Sequence, residues 1–175
     1  MFETAEELAA LQRLLEDSLA GSTEHLRSII TPERTLDAER LCAAIPGMQT
    51  LSLATVTASG EPRISAVDGH FLHGRWVFGT ARSAAKARHL AVRPAASVSH
   101  LRGEELGVFT HGRVEVLNPE GGPDDPEWPA ILRHLTDHYG QSPYTFGEIV
   151  YYRLVPSWMT VFHGAADTGE ALDGA

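Results

Sequence analysis

The chain contains a single lysine, Lys86, in the run Gly79-Thr-Ala-Arg-Ser-Ala-Ala-Lys-Ala-Arg-His-Leu90. Arg82 and Arg88 flank it. Between Pro62 and Gly103, Asp68 is the sole acidic residue, against Arg63, Arg75, Arg82, Lys86, Arg88, Arg93 and Arg102. The whole protein carries a formal net charge of −9. A basic island in an acidic chain is a candidate anion site. Its shape narrows the choice of anion. A Gly/Thr/Ser turn running into a helix start offers backbone N–H groups and hydroxyls, and the helix dipole adds to the field. That combination suits a phosphate. Spacing and strand–turn–helix context agree on this role for Lys86. Arg82, Arg88 and Arg93, taken singly, read better as solvated helix cations.

Other reactive residue types carry less. His134 and His138 are spaced i, i+4 on a predicted helix, so both face one side. That spacing can hold a metal. Leu135 stands where the zinc-protease pattern needs glutamate, and no third ligand is evident. The pair reads as a surface pair, and no metal is expected. Cys42 is the only cysteine, which excludes an intramolecular disulfide, and its neighbours Leu41 and Ala43 mark it as a small core residue. Ser59 and Ser65 have no base partner placed by the sequence, so hydrolase chemistry lacks support. No residue is singled out as catalytic.

The elements that must position these residues follow from periodicity. Thr4 and Glu7 fit a capping box, and Leu8, Leu11, Leu15 and Leu19 then line one face of a helix that ends at Gly21-Ser22. A second helix is expected from Thr31, with Pro32 at its first position and Leu36, Leu41 and Ile45 as its apolar stripe, stopped by Pro46-Gly47. From Met48 the period changes to two. Strands are predicted over 48–57, 63–72, 76–79, 95–101, 107–117, 148–155 and 157–162. Short helices are predicted over 80–91 and 127–139. Mostly consecutive antiparallel strands with short helices give an α+β, mainly β, small barrel. The absence of alternating βα units, of G-x-G-x-x-G and of a Walker loop excludes the usual nucleotide-binding folds.

The order of pieces from Thr50 to Leu117 resembles the flavin-binding split-barrel superfamily, the pyridoxamine 5′-phosphate oxidase-like proteins. The matching pieces are Leu53-Ala-Thr-Val-Thr-Ala-Ser-Gly-Glu-Pro-Arg-Ile-Ser-Ala-Val67, Val77-Phe-Gly-Thr80, Ser83-Ala-Ala-Lys-Ala-Arg-His-Leu90, Arg93-Pro-Ala-Ala-Ser-Val98 and His111-Gly-Arg-Val-Glu-Val116. The resemblance implies a split barrel of about six antiparallel strands over residues 31–164, a helical extension over 1–30 and a flexible tail over 165–175. It implies a homodimer with flavin mononucleotide (FMN) in grooves at the interface. Lys86 matches the lysine that grips the cofactor phosphate, and Arg88 a basic position of the deazaflavin branch. Thr80, Arg82 and Ser83 lie on the turn that brings the phosphate in. The strand carrying Arg63, Ile64, Ser65, Ala66 and Val67 runs beside the ring. Trp158, with Tyr151 and Tyr152, reads first as core packing, and alternatively as a cap on the ring from the partner chain.

The departures are as specific as the matches. Ser65 and Ala85 stand where the oxidase itself carries arginine. The expected activity is therefore that of a related flavin-dependent oxidoreductase acting on a small organic molecule. A deazaflavin is the alternative cofactor, since the arginine excess would suit its oligoglutamyl tail. A non-catalytic cofactor- or haem-binding protein is the further alternative, with His111 and His163 as the histidines near the groove. Charged contacts to a phosphate are worth about 1.5–3 kcal/mol each, and the hydride chemistry belongs to the flavin.

The bulk numbers set the frame. With 43% hydrophobic residues, the chain can bury a substantial core. Its acidic balance argues against nucleic-acid binding. No apolar run approaches membrane-spanning length, and Met1-Phe-Glu-Thr-Ala-Glu-Glu7 is acidic where a signal peptide needs positive charge. A soluble cytoplasmic protein, with no membrane partner, is the expectation.

Overall fold

Six antiparallel strands close on themselves in the order β1-β2-β3-β6-β5-β4. The computed structural model describes residues 2–164; the tail predicted over 165–175 lies outside them. The strands are β1 (Met48–Val56), β2 (Pro62–Leu72), β3 (Arg75–Ala81), β4 (Ala95–Arg102), β5 (Leu106–Val116) and β6 (Ile149–His163). The helices are α1 (Ala5–Ala20), α2 (Glu24–Ile29), α3 (Ala38–Ala44), α4 (Ala85–Val92) and α5 (Trp128–Tyr139). The mainly β split-barrel reading with an added N-terminal helix is what the chain forms.

Alternation sorts the side chains. Leu51, Leu53, Val67, Phe71, Trp76, Phe78, Val98, Val108 and Leu154 fill the barrel. One end of this core is completed by helices: Leu11 and Leu15 of α1, Leu36, and Leu41 of α3 join the same buried cluster. The capping box is present in both directions between Thr4 and Glu7. Ser18 of α1 accepts from the Met159 N–H at 2.9 Å. A second apolar cluster lies outside the barrel, where α5 lays Trp128, Ile131 and Leu135 over Leu72, Val77 and Tyr151. The β2–β3 hairpin turns on two residues, His73 and Gly74, both at positive φ. That geometry is a type I′ turn, which follows the strand twist.

Three expectations need correction, and one further helix is present. The helix predicted from Thr31 is a 3₁₀ turn over Pro32–Arg34 followed by a separate α3. The break arises because Asp37 caps α3, accepting from the Arg40 N–H at 2.8 Å, while Thr35 donates to the Val161 carbonyl. A six-residue helix, α2, intervenes, capped by Thr23. The helix predicted from Thr80 starts at Ala85, because β3 continues pairing with β6 through Ala81 and Ile149. The two final strands are one, with a register shift opposite His111/Gly112 that leaves Ser157 as the extra, unpaired residue beside Pro156.

Two places in the barrel are open. The closing β1–β4 ladder is only three residue pairs long, Ser52–Ser99 to Ala54–Ser97, against the long β5–β6 ladder. Between β2 and β3, pairing stops at Gly69–Phe78. Beyond that point β2 pairs with β1 and β3 with β6. The result is a fork between residues 63–68 on one arm and 79–81 on the other. Among the described residues, no helix is long and apolar enough to cross a membrane.

Candidate cofactor site

The fork gathers most of the residues singled out by the sequence. β3 ends at Ala81, and the Arg82 N–H donates to the Glu148 carbonyl at 2.9 Å. The Ala84 N–H turns back to the Ala81 carbonyl, and α4 begins at once. Its N-cap is Ala84, which has no side chain to satisfy the first turn. The first backbone bond closing the helix runs from the Arg88 N–H to the Ala84 carbonyl. The N–H groups of Ala85, Lys86 and Ala87 therefore point out of the helix start without partners among the described residues.

α4 is held firmly. Ala87 and Leu90 are buried in the barrel cluster. His89 Nδ1 lies 3.0 Å from the buried Thr55 hydroxyl, and Arg93 donates to the Val56 carbonyl at 3.0 Å. Several cations of the basic island are used internally. Arg82 donates to the Asn118 carbonyl at 2.6 Å, and Arg88 to the Ser83 carbonyl. Arg63 pairs with Glu61, Arg75 with Glu127 and Arg102 with Glu105. Lys86 is half-buried and has neither a hydrogen bond nor an ion pair among the described residues. Of the candidate cations on the turn and helix, its charge is the one left uncommitted.

On the other arm, Arg63, Ile64 and Ala66 are exposed, and Ser65 is half-buried. Ile64 presents 77% of its surface to solvent. Val67 is 7% exposed, with its side chain in the barrel core, so only its backbone faces the fork. Thr80 is buried and borders a small cavity at the mouth of the fork, with Asp68 and His70. Trp158 stacks on His111, centroids 4.7 Å apart, and lines an apolar groove of about 500 Å³ with Leu101, Phe109 and Phe162. Among the described residues, none of the α4 turn lines that groove. His111 Nδ1 also lies 2.8 Å from the Ser97 hydroxyl. His163 pairs with Leu106, five ladder positions from His111, or about 17 Å along the strand. The two histidines do not converge.

On α5, His138 is exposed and His134 half-buried. His134 Nε2 lies 3.2 Å from Nδ1 of His70, a β2 residue buried beneath α5. His70 Nε2 in turn lies 3.0 Å from the Tyr139 hydroxyl. Burial, then the neighbouring His134 and His138, pulls the His70 pKa down to about 4. Among the described residues, no three His, Cys, Asp or Glu side chains are arranged to hold a metal. His70 gave no local signal in the sequence; its partners lie more than sixty residues away.

The comparisons with known proteins agree with this architecture. Solved structures of the same fold include a conserved hypothetical protein from Mycobacterium tuberculosis, at 16% identity and TM-score 0.56, covering 81% of this chain and 97% of that one. HutZ, the haem storage protein from Vibrio cholerae, aligns at 17% identity and TM-score 0.56 over 71% of this chain and 91% of its own. A putative pyridoxamine 5′-phosphate oxidase from Listeria innocua aligns at 13% identity and TM-score 0.54 over 70% and 95%. At these identities the likeness is one of fold. No curated protein matches the sequence. Residues 38–161, well over half of the chain, match the family described as pyridoxamine 5′-phosphate oxidase. The protein belongs to the pyridoxamine 5′-phosphate oxidase family.

Proposed function

We propose that this chain is a flavin-dependent oxidoreductase that anchors the phosphate of FMN, or of a deazaflavin, at the start of α4. The observation that carries this reading is the uncommitted Lys86 ammonium beside three free N–H groups in an uncapped first turn. Together they offer a phosphate one full charge, directed donors and the positive end of a helix. The Ser83 hydroxyl is exposed on the same turn. Arg82 and Arg88 would have to leave their carbonyl partners to join, so they come second to Lys86. The small residues Ser65 and Ala66 leave the β2 arm open to a flat ring, with backbone at Val67. When bound, the flavin would supply hydride transfer to or from a small organic molecule. The protein's own part is to hold, orient and shield. The proposal includes a cytoplasmic homodimer, in which Trp158 of one chain can approach the ring held by the other.

The test is a titration of the purified protein with FMN. Lys86→Ala should weaken binding by roughly tenfold or more, the loss of one charge-assisted contact. Unchanged affinity would remove the phosphate assignment. Sedimentation showing a monomer at micromolar concentration would remove the dimer. A second reading, haem binding, is favoured by the apolar groove in which His111 stands beside Trp158. The absorption spectrum separates the readings: a near-ultraviolet and a visible flavin band, one deazaflavin band, or a Soret band.

A further inference from the structure

Asp68, the one acidic residue of the basic stretch, has no hydrogen-bond or ion-pair partner among the described residues. It borders the cavity of about 230 Å³ at the mouth of the fork. The walls of that cavity include Tyr139, Phe146 and Tyr151. Tyr139 and Phe146 stand nearly perpendicular, at 79° with centroids 6.4 Å apart, and so form a corner. The Tyr151 ring lies flat against the strand because residue 79 is glycine; a Cβ there would come within 2.7 Å of Cε1 of the ring. His70 also borders the cavity. Burial keeps it neutral well below its ordinary range, so it adds no positive charge at neutral pH. The negative charge of Asp68 is felt by two of the rings. After burial, and for Tyr151 after its neighbouring phenols, it helps raise the Tyr139 hydroxyl and push that of Tyr151 up to about 12.

A carboxylate facing aromatic rings in a mostly apolar cavity has one natural ligand class. Rings attract cations through their negative faces, and the carboxylate balances the charge. An anion would meet repulsion from Asp68 and no donor of positive charge. The volume, below the roughly 300–1,000 Å³ of common ligand clefts, restricts the ligand to a small molecule. We propose that this cavity binds a small organic ammonium ion, with Asp68 as counter-ion and Tyr139, Phe146 and Tyr151 as aromatic walls. Thr80 ties the cavity to the strand that leads into the α4 turn. The binding does not rest on the function proposed above.

The experiment is calorimetric titration of the full chain, free of cofactor, with choline, with ethanolamine and with the uncharged choline isostere dimethylbutanol. At least one of the two cations should saturate in the millimolar range or tighter, roughly tenfold or more above the isostere. Asp68→Asn should cost that ligand roughly tenfold or more. Phe146→Ala should weaken it several-fold. Both residues are exposed, and neither side chain makes a hydrogen bond, so both variants should melt like the parent. Equal binding of the isostere, an indifferent Asp68→Asn, or no saturation by either cation at tens of millimolar would overturn the proposal. All arms run without flavin, so failure of the Lys86 site leaves their outcome unchanged.

Discussion

Replacing His70 by glutamine should flatten the protein's loss of stability in acid. Burial beneath α5 takes His70 from its ordinary 6.5 to about 4, with His134 and His138 adding to the shift. Tyr139 faces it from the same helix, and Asp68 lies two residues back on its own strand. Between the two pKa values the unfolded chain holds the proton and the folded one does not. Stability is therefore fully present above about pH 6.5 and falls as the pH drops toward 4. The whole gap is worth about 3 kcal/mol, of which about 2 kcal/mol is gone by about pH 5. With a urea slope of about 1–3 kcal/mol per molar, the unfolding midpoint should drop by roughly 1 M between about pH 7 and pH 5 on this account alone. His70→Gln keeps a donor and an acceptor beneath α5 but removes the titration. Its midpoint should fall by that much less over the same range. The drop should not vanish, because burial also lowers the His134 pKa. Urea melts of the two proteins at both pH values decide it. Parallel pH dependence would mean that His70 is protonated in the fold without cost, and the buried-chain account would be wrong.

Two further outcomes follow from packing. Gly79→Ala drives a methyl group to 2.7 Å from the Tyr151 ring, and should destabilise the fold by about 1–3 kcal/mol in thermal melts while narrowing the cavity beside Asp68. Arg153→Met leaves Glu115, Asp125 and Glu127, now each within 2.8 Å of one guanidinium, facing one another. The cost in urea should be about 3 kcal/mol, the low end for a broken buried ion pair, because Glu115 and Glu127 keep contact with water.

Much of the barrel was legible because its signals are local. Thr4 and Glu7 declare the start of α1 three residues apart, and strict alternation from Met48 onward declares β1 and β2. Pro156 misled the reading of β6, since a proline inside a strand ordinarily ends it. The chain tolerates it because Pro156 sits at a bulge, opposite Gly112, where the extra residue Ser157 interrupts the regular ladder. The length of β3 was hidden for a related reason: Thr80 and Ala81 are ordinary turn residues until Val150 and Ile149 pair with them. At the site, Lys86 was visible from charge and context. The engagement of Arg82 with Asn118 was not, because the acceptor is a backbone carbonyl 36 residues away. Nor was the cluster at His70, whose partners arrive on a helix that only the folded chain brings across β2.

A chain with one ε-amine, half-buried and uncommitted, offers acylating reagents a single side-chain target. Mass spectrometry of the peptide carrying Lys86, taken after digestion, therefore counts occupancy of the α4 turn. Whatever anion rests there competes with the reagent for the same nitrogen. The scarcity of lysine thus turns the turn into its own footprinting probe, with no mutation and no chromophore needed.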